Sequence, residues 1–87
     1  MVVVIKRDGS KEEFIKEKVV VSCLKAGATL EAARAIADEV EKRVSGLEAI
    51  SSRELRSMVL ELLRARNEEW YENWLTYDRA VKRRVEG

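Results

Sequence analysis

Val2-Val3-Val4-Ile5-Lys6-Arg7-Asp8-Gly9-Ser10-Lys11-Glu12-Glu13-Phe14 decides how this chain begins to fold. The apolar run at its start has strand character, and a second short segment of strand character follows the Asp8-Gly9 pair. Asp-Gly between two such segments predicts a hairpin with a two-residue type I′ turn, in which both central residues take positive φ. The expected strands are Val2–Lys6 and Lys11 to about Phe14. With Asp8-Gly9 as the loop, Arg7 faces Ser10, Lys6 faces Lys11 and Ile5 faces Glu12. A lone hairpin is marginal in water, so this one must pack on helices. Lys6, Arg7 and Lys18 gather positive charge near the start of the first helix. Such charge and helix N-termini attract phosphate groups.

The rest of the chain reads as four helices. The first runs from about 15 to 26, with Phe14, Val19, Cys23 and Leu24 as its apolar set and Gly27 as its stop. The second spans about 29–45. Thr29 is its N-cap, and Ala33, Ile36, Ala37, Val40 and Val44 form its inward face. The third, about 51–66, has the clearest start. Ser51-Ser52-Arg53-Glu54 is a capping box, and Ile50 and Leu55 hold the positions of a hydrophobic staple. Its inward face is Leu55, Val59, Leu62 and Leu63. Asn67 separates it from a fourth helix over about 68–85, with Trp70, Trp74, Leu75, Tyr71 or Tyr77, and Val81 as apolar residues. Glu68 and Glu69 open that helix and Arg79, Lys82, Arg83 and Arg84 close it, a charge order that suits the helix macrodipole. The fold class is α+β and mainly helical, a single domain over 1–87 with an N-terminal hairpin of about 2–14 packed on a four-helix bundle.

Composition narrows the function. Eighty-seven residues make one domain with a modest core, and 46% hydrophobic with 38% charged residues excludes a disordered chain. Seventeen basic and sixteen acidic residues leave a net charge of +1, so any anion site must be local. One cysteine and no histidine exclude disulfide frameworks, Cys/His zinc sites within one chain and catalysis by a histidine base. Apolar runs stop at four or five residues, far short of a membrane span, and no signal-peptide pattern is present. The expectation is a soluble cytoplasmic protein without a membrane partner. Dense charge and the absence of proline are compatible with a thermophilic source.

Val4-x-Lys6-Arg7-Asp8-Gly9, together with Glu12, Phe14 and Lys18, resembles the signature of the ATP-cone domain. That family is a small regulatory nucleotide-binding module of ribonucleotide reductases and of the repressor of reductase genes. Lys25-Ala26-Gly27, the alanine-rich second helix and Ile50 before the Ser51–Glu54 helix start extend the resemblance from Val2 to about Arg84. It implies a hairpin lid over four helices, with ATP or dATP between them, with or without Mg2+. Carried over, Val4 contacts the base or sugar, Lys6 the phosphates or the sugar region, and Glu12 accepts hydrogen bonds from the base or ribose. Ile15 lines the base pocket, and Arg7 and Lys18 supply charge for phosphate. Ser52, Leu55 and Arg56 fall at the adenine-side and phosphate contacts, and Lys82 or Arg79 is the basic residue of the last helix. No reductase domain or four-cysteine zinc ribbon accompanies these residues, so the expectation is a stand-alone cone.

The chemistry agrees with binding. ATP carries about four negative charges and needs several converging cations, which Lys6, Arg7, Lys11, Lys18 and Arg56 can supply. No GxxxxGK[ST] run and no evident carboxylate pair for two-metal phosphoryl transfer are present. The expected function is a non-enzymatic module that binds ATP or dATP without hydrolysis and acts through lid ordering and oligomerisation. Its partners are the nucleotide and either a second copy or a partner enzyme or regulator, with nucleic acid a lesser expectation. The alternative is a helical protein–protein or DNA-binding adaptor that has lost the nucleotide site. Cys23 reads as a small core residue, and Trp70 and Trp74 as core or dimer contacts ahead of a base-stacking platform. Lys82-Arg83-Arg84 reads as a helix C-terminal charge complement ahead of a nucleic-acid patch.

Overall fold

A computed structural model describes residues 2–76, and the hairpin is the element that departs most from its sequence reading. β1 (Val3–Ile5) and β2 (Lys11–Glu13) pair antiparallel with Val3 opposite Glu13, Val4 opposite Glu12 and Ile5 opposite Lys11. Expected was Ile5 opposite Glu12, so the register differs by one residue. The loop explains it. Gly9 has φ +87°, while no non-glycine residue, Asp8 included, has positive φ. A type I′ turn is therefore not formed. Gly9 N donates to Lys6 O at 2.9 Å and Lys6 N to Ser10 O at 2.8 Å. Arg7-Asp8-Gly9 is a three-residue loop closed by a glycine in the left-handed region. Asp8 Oδ1 accepts from Ser10 N at 2.9 Å and from the Ser10 hydroxyl at 2.6 Å. The aspartate is thus used as a side-chain turn former, which holds it outside the left-handed region.

A third strand joins the hairpin. β3 (Ala49–Ser51) runs parallel to β1, with Val4 beside Ile50, so the sheet order is β2-β1-β3. The sequence reading assigned Ile50 only to the helix staple. A three-residue strand is too short to show alternation. The signal for it lay in β1: an unbroken apolar run fits a central strand paired on both sides.

α1 (Lys16–Lys25), α2 (Leu30–Val44) and α3 (Ser52–Arg66) follow the expected boundaries within one or two residues. α1 ends where Gly27, at φ +101°, turns the chain. Gly27 N donates to Leu24 O at 3.0 Å and Ala28 N to Cys23 O at 3.1 Å, which satisfies two terminal carbonyls. Thr29 Oγ1 accepts from Ala32 N at 3.1 Å and Ser51 Oγ from Glu54 N at 3.1 Å, so both predicted N-caps form. At Asn67 the chain is extended, and its side chain accepts from Glu69 N at 2.9 Å to start α4 (68–76). The expected remainder of that helix, with Tyr77, Arg79, Val81, Lys82, Arg83 and Arg84, lies outside the described residues.

The alanines of α2 let the helices approach closely. Ala33, Ala37 and Val40 are fully buried, and Cys23, Ile36, Val44 and Leu63 join them. Val20 is buried and Leu24 is 40% exposed, so α1 is rotated slightly from its expected inward face. Lys16 of α1 pairs with Asp38 and Glu41 of α2, and Asp38 holds the Lys16 ammonium above its usual range. At the other end of α1, α4 docks at the α1–α2 turn. Asn73 Nδ2 donates to Ala26 O at 3.1 Å, and Trp70 lies beside Gly27.

Truncation should report this core. Leu63→Ala is expected to cost about 2–5 kcal/mol of unfolding free energy in urea denaturation, since it empties a buried site. Val21→Ala, at a position 47% exposed, should stay within about 0.5 kcal/mol.

Candidate functional site

The observed register puts Val2, Val4, Lys6, Glu12 and Phe14 on the face of the sheet that looks toward the helices. Had Ile5 faced Glu12, the carboxylate would stand on the opposite face from Val4 and Lys6, because side chains alternate. Beneath this face lies a cavity of about 210 Å³ between the hairpin, the start of α1, the first two turns of α3 and Trp74 of α4. Its floor is apolar: Val4, Phe14 and Val19 on one side, and Leu55, Val59 and Trp74 on the other. Its rim carries Lys6, Glu12, Lys18, Ser52 and Arg56, with Ile15 at the mouth. A greasy interior with a few polar groups at the edge is the usual form of a small-molecule site.

Two helix N-termini border the cavity. α3 begins at Ser52, which lines both the cavity and a second depression. α1 begins after Ile15, whose side chain makes no cap hydrogen bond. Each end carries partial positive charge from its backbone amides. This second depression, about 520 Å³, continues from the rim along Lys6, Arg7, Ser52, Arg53 and Arg56. The apolar cavity is smaller than the roughly 300–1,000 Å³ of common ligand pockets. A ligand of nucleotide size can place only part of itself inside, and its remainder would lie along the cationic depression.

Glu12 organises the rim. Its Oε2 is 3.1 Å from Lys6 Nζ and its Oε1 3.3 Å from Lys18 Nζ. Hydrogen bonds from Lys6 and then Lys18 hold the Glu12 carboxyl below the usual carboxylate range. All three side chains are at least one-third exposed, so solvent screens these pairs; they position groups more than they stabilise the fold. The Arg56 guanidinium lies over the Trp74 ring, 5.1 Å from its centroid. That cation–π contact ties α3 to α4 at the cavity wall.

Val4, Lys6, Glu12, Ile15, Lys18, Ser52, Leu55 and Arg56, residues that the resemblance singled out, all line this one cavity. Arg7 faces the adjoining depression. Lys11, counted among the cations, pairs with Ile5 on the far side of the sheet and leaves the lining. Lys82 and Arg79 lie outside the described residues. Glu13, Phe14, Val19, Ser22, Val59 and Trp74 were not named as lining residues. Of these, Trp74 had a signal: its helical spacing from Trp70 marked one apolar face. Trp70 ends against Gly27 while Trp74 reaches the cavity. Cys23 is fully buried, and burial pushes its thiol up to about 11. Among the described residues no cluster of three or more metal-ligating side chains occurs, and no helix is long and apolar enough to cross a membrane.

A hairpin closed over helices, with an apolar cavity rimmed by cations, defines a small α+β ligand-binding module. The chain belongs to the ATP cone domain family, which it matches over residues 2–83. Members of this family are regulatory nucleotide-binding modules. Among curated proteins it is 34% identical to "Transcriptional repressor NrdR" of Caldicellulosiruptor bescii, over 93% of this chain and 57% of that protein. The protein of the same name from Oceanobacillus iheyensis is 35% identical, over 92% of this chain and 55% of its own length. An uncharacterized protein of Archaeoglobus fulgidus is 45% identical over 48% of this chain and 89% of its own length. The chain thus spans little more than half the length of the repressors that it matches.

Two outcomes follow from the ionisation of the site and core. Because the folded-state pKa of Glu12 is depressed, its contribution to stability is present above the ordinary value of 4.5 and is lost as pH falls through the lower folded value. In a carboxyl-carbon NMR titration, Lys6→Met should move the Glu12 midpoint upward; an unmoved midpoint would show that Lys6 is not its cause. The Cys23 thiol should resist an aromatic disulfide reagent at pH 8 in the native protein and react at once in denaturant.

Proposed function

We propose that this chain binds ATP or dATP, with or without Mg2+, and does not hydrolyse it. The observation that supports this best is the single cavity that joins an apolar floor under Val4 and Leu55 to a rim of Lys6, Lys18 and Arg56. A purine fits the floor, and the phosphates would extend past the rim toward Arg7 and the N-terminus of α3. Glu12 and Glu13 both line the cavity, but Glu12 is held between Lys6 and Lys18, and among the described residues no group of three or more metal-ligating side chains gathers there for metal-assisted transfer. Binding without turnover is the reading they favour.

Regulation would follow from the lid. The hairpin meets the helices partly through the Glu12–Lys18 pair, which is exposed and weakly held. Nucleotide would bridge the hairpin to α3 and order that contact. Bound and empty states would then present different surfaces to a second copy or to a partner enzyme or regulator. A ligand shifts such states only through different affinity for each. The names of the relatives support a regulatory output on transcription, in a protein that works in the cytoplasm. Contact with nucleic acid is the lesser expectation, since the net charge of the chain is only +1.

Isothermal titration with ATP, dATP, ADP and GTP tests the proposal directly, and absence of heat with all four would overturn it. Lys6→Ala combined with Lys18→Ala should weaken ATP binding by about tenfold or more, because each lysine removed deletes a charge-assisted phosphate contact. The thermal melt of the ligand-free protein should barely change. Light scattering with and without ATP reads the second half of the proposal. A particle size that ignores nucleotide would favour the adaptor reading.

A further inference from the structure

We propose that Glu12 is the residue by which this site distinguishes a nucleotide from a bare polyphosphate, an inference that rests on the nucleotide reading of the cavity. One carboxylate bridges a lysine of the hairpin and a lysine of α1, at 3.1 Å and 3.3 Å. It stands opposite Val4, at the boundary between the apolar floor and the cationic rim. Lys6 and Lys18 are the cations that an incoming phosphate would seek, and in the empty site both are already paired with Glu12.

The consequence depends on what the ligand carries besides phosphate. An ionised carboxylate has acceptors and no donor. Tripolyphosphate is likewise all acceptors. It would draw Lys6 and Lys18 away and leave Glu12 without either partner, beside new negative charge. Juxtaposed like charges are unfavourable, and that term opposes bare polyphosphate. A nucleoside triphosphate brings ribose hydroxyls and base N–H groups next to its phosphates. These donors can replace the two lysines on Glu12 as the lysines turn to phosphate. The same side chain thus repels one ligand and hydrogen-bonds the other, and selectivity arises from both effects. A neutral acceptor at position 12 would keep the hydrogen bonds and lose the repulsion.

The test is calorimetric titration of ATP and of sodium tripolyphosphate, in Mg2+-free buffer, into the whole chain and into Glu12→Gln and Glu12→Asp. The original chain should bind ATP clearly tighter than tripolyphosphate. Glu12→Gln should bind tripolyphosphate about five- to tenfold tighter than the original chain does, the range expected for removing repulsion at a partly exposed site. Its preference for ATP should shrink accordingly. Glu12→Asp retains the charge and should retain the rejection of tripolyphosphate, which separates charge from any loss of fold. Equal affinity of the original chain for both ligands would overturn the inference. So would an unchanged tripolyphosphate affinity in Glu12→Gln while ATP still binds. Failure of the original chain to bind ATP would overturn the nucleotide reading itself.

Discussion

The pairing of Val4 with Glu12 is the contact on which the site depends. It is set at the loop, where Gly9 alone takes the left-handed conformation and Asp8 folds its carboxylate back on Ser10. A one-residue slip in an antiparallel pair exchanges the two faces of a strand. Here it would separate Glu12 from Lys6 and carry Lys11 toward the helices. Phe14, which follows β2 and packs against the core on the inner face, resists that slip, because it would be carried to the outer face. Turn chemistry and core packing therefore specify the same register, and the ionic cluster at the cavity rim is its result.

The helices supply the rest of the enclosure with ordinary devices. α2 contributes small side chains and no polar group to the buried core, and α1 and α3 close on it. Among the described residues no polar or charged side chain is buried. Charge is confined to the surface and to the rim, where solvent keeps the lysine–carboxylate pairs weak and exchangeable. A site meant to trade internal partners for those of a ligand needs such pairs. Strong, buried pairs would cost too much to open. Beside them, the Arg56–Trp74 contact gives α4 a place in the wall of the cavity, so a helix remote in sequence bears on the ligand space.

Helix positions were legible because their signals are local. Thr29 and Ser51 cap as expected, Gly27 ends α1, and Asn67 divides α3 from α4. The alanine-lined face of α2 follows a 3.6-residue period and is buried as read. The errors fell where the signal is not local. Asp-Gly permits more than one turn, and the choice went to the three-residue loop once Asp8 could bond Ser10. β3 is three residues long, and its pairing with β1 joins segments more than forty residues apart. Leu24, placed on the inner face of α1, is partly exposed, since a short helix with apolar residues around much of its circumference does not declare its rotation.

By itself the sequence determined the element order, the caps, the absence of histidine chemistry and the candidate cations, because these depend on residue type and short spacing. It also carried the family pattern. Tertiary structure decided which of those cations share a cavity. It removed Lys11, brought in Trp74 and placed Glu12 between Lys6 and Lys18. Such choices depend on strand register and on contacts between distant elements, where one residue of offset reverses the outcome. Residue spacing along the chain does not record that offset.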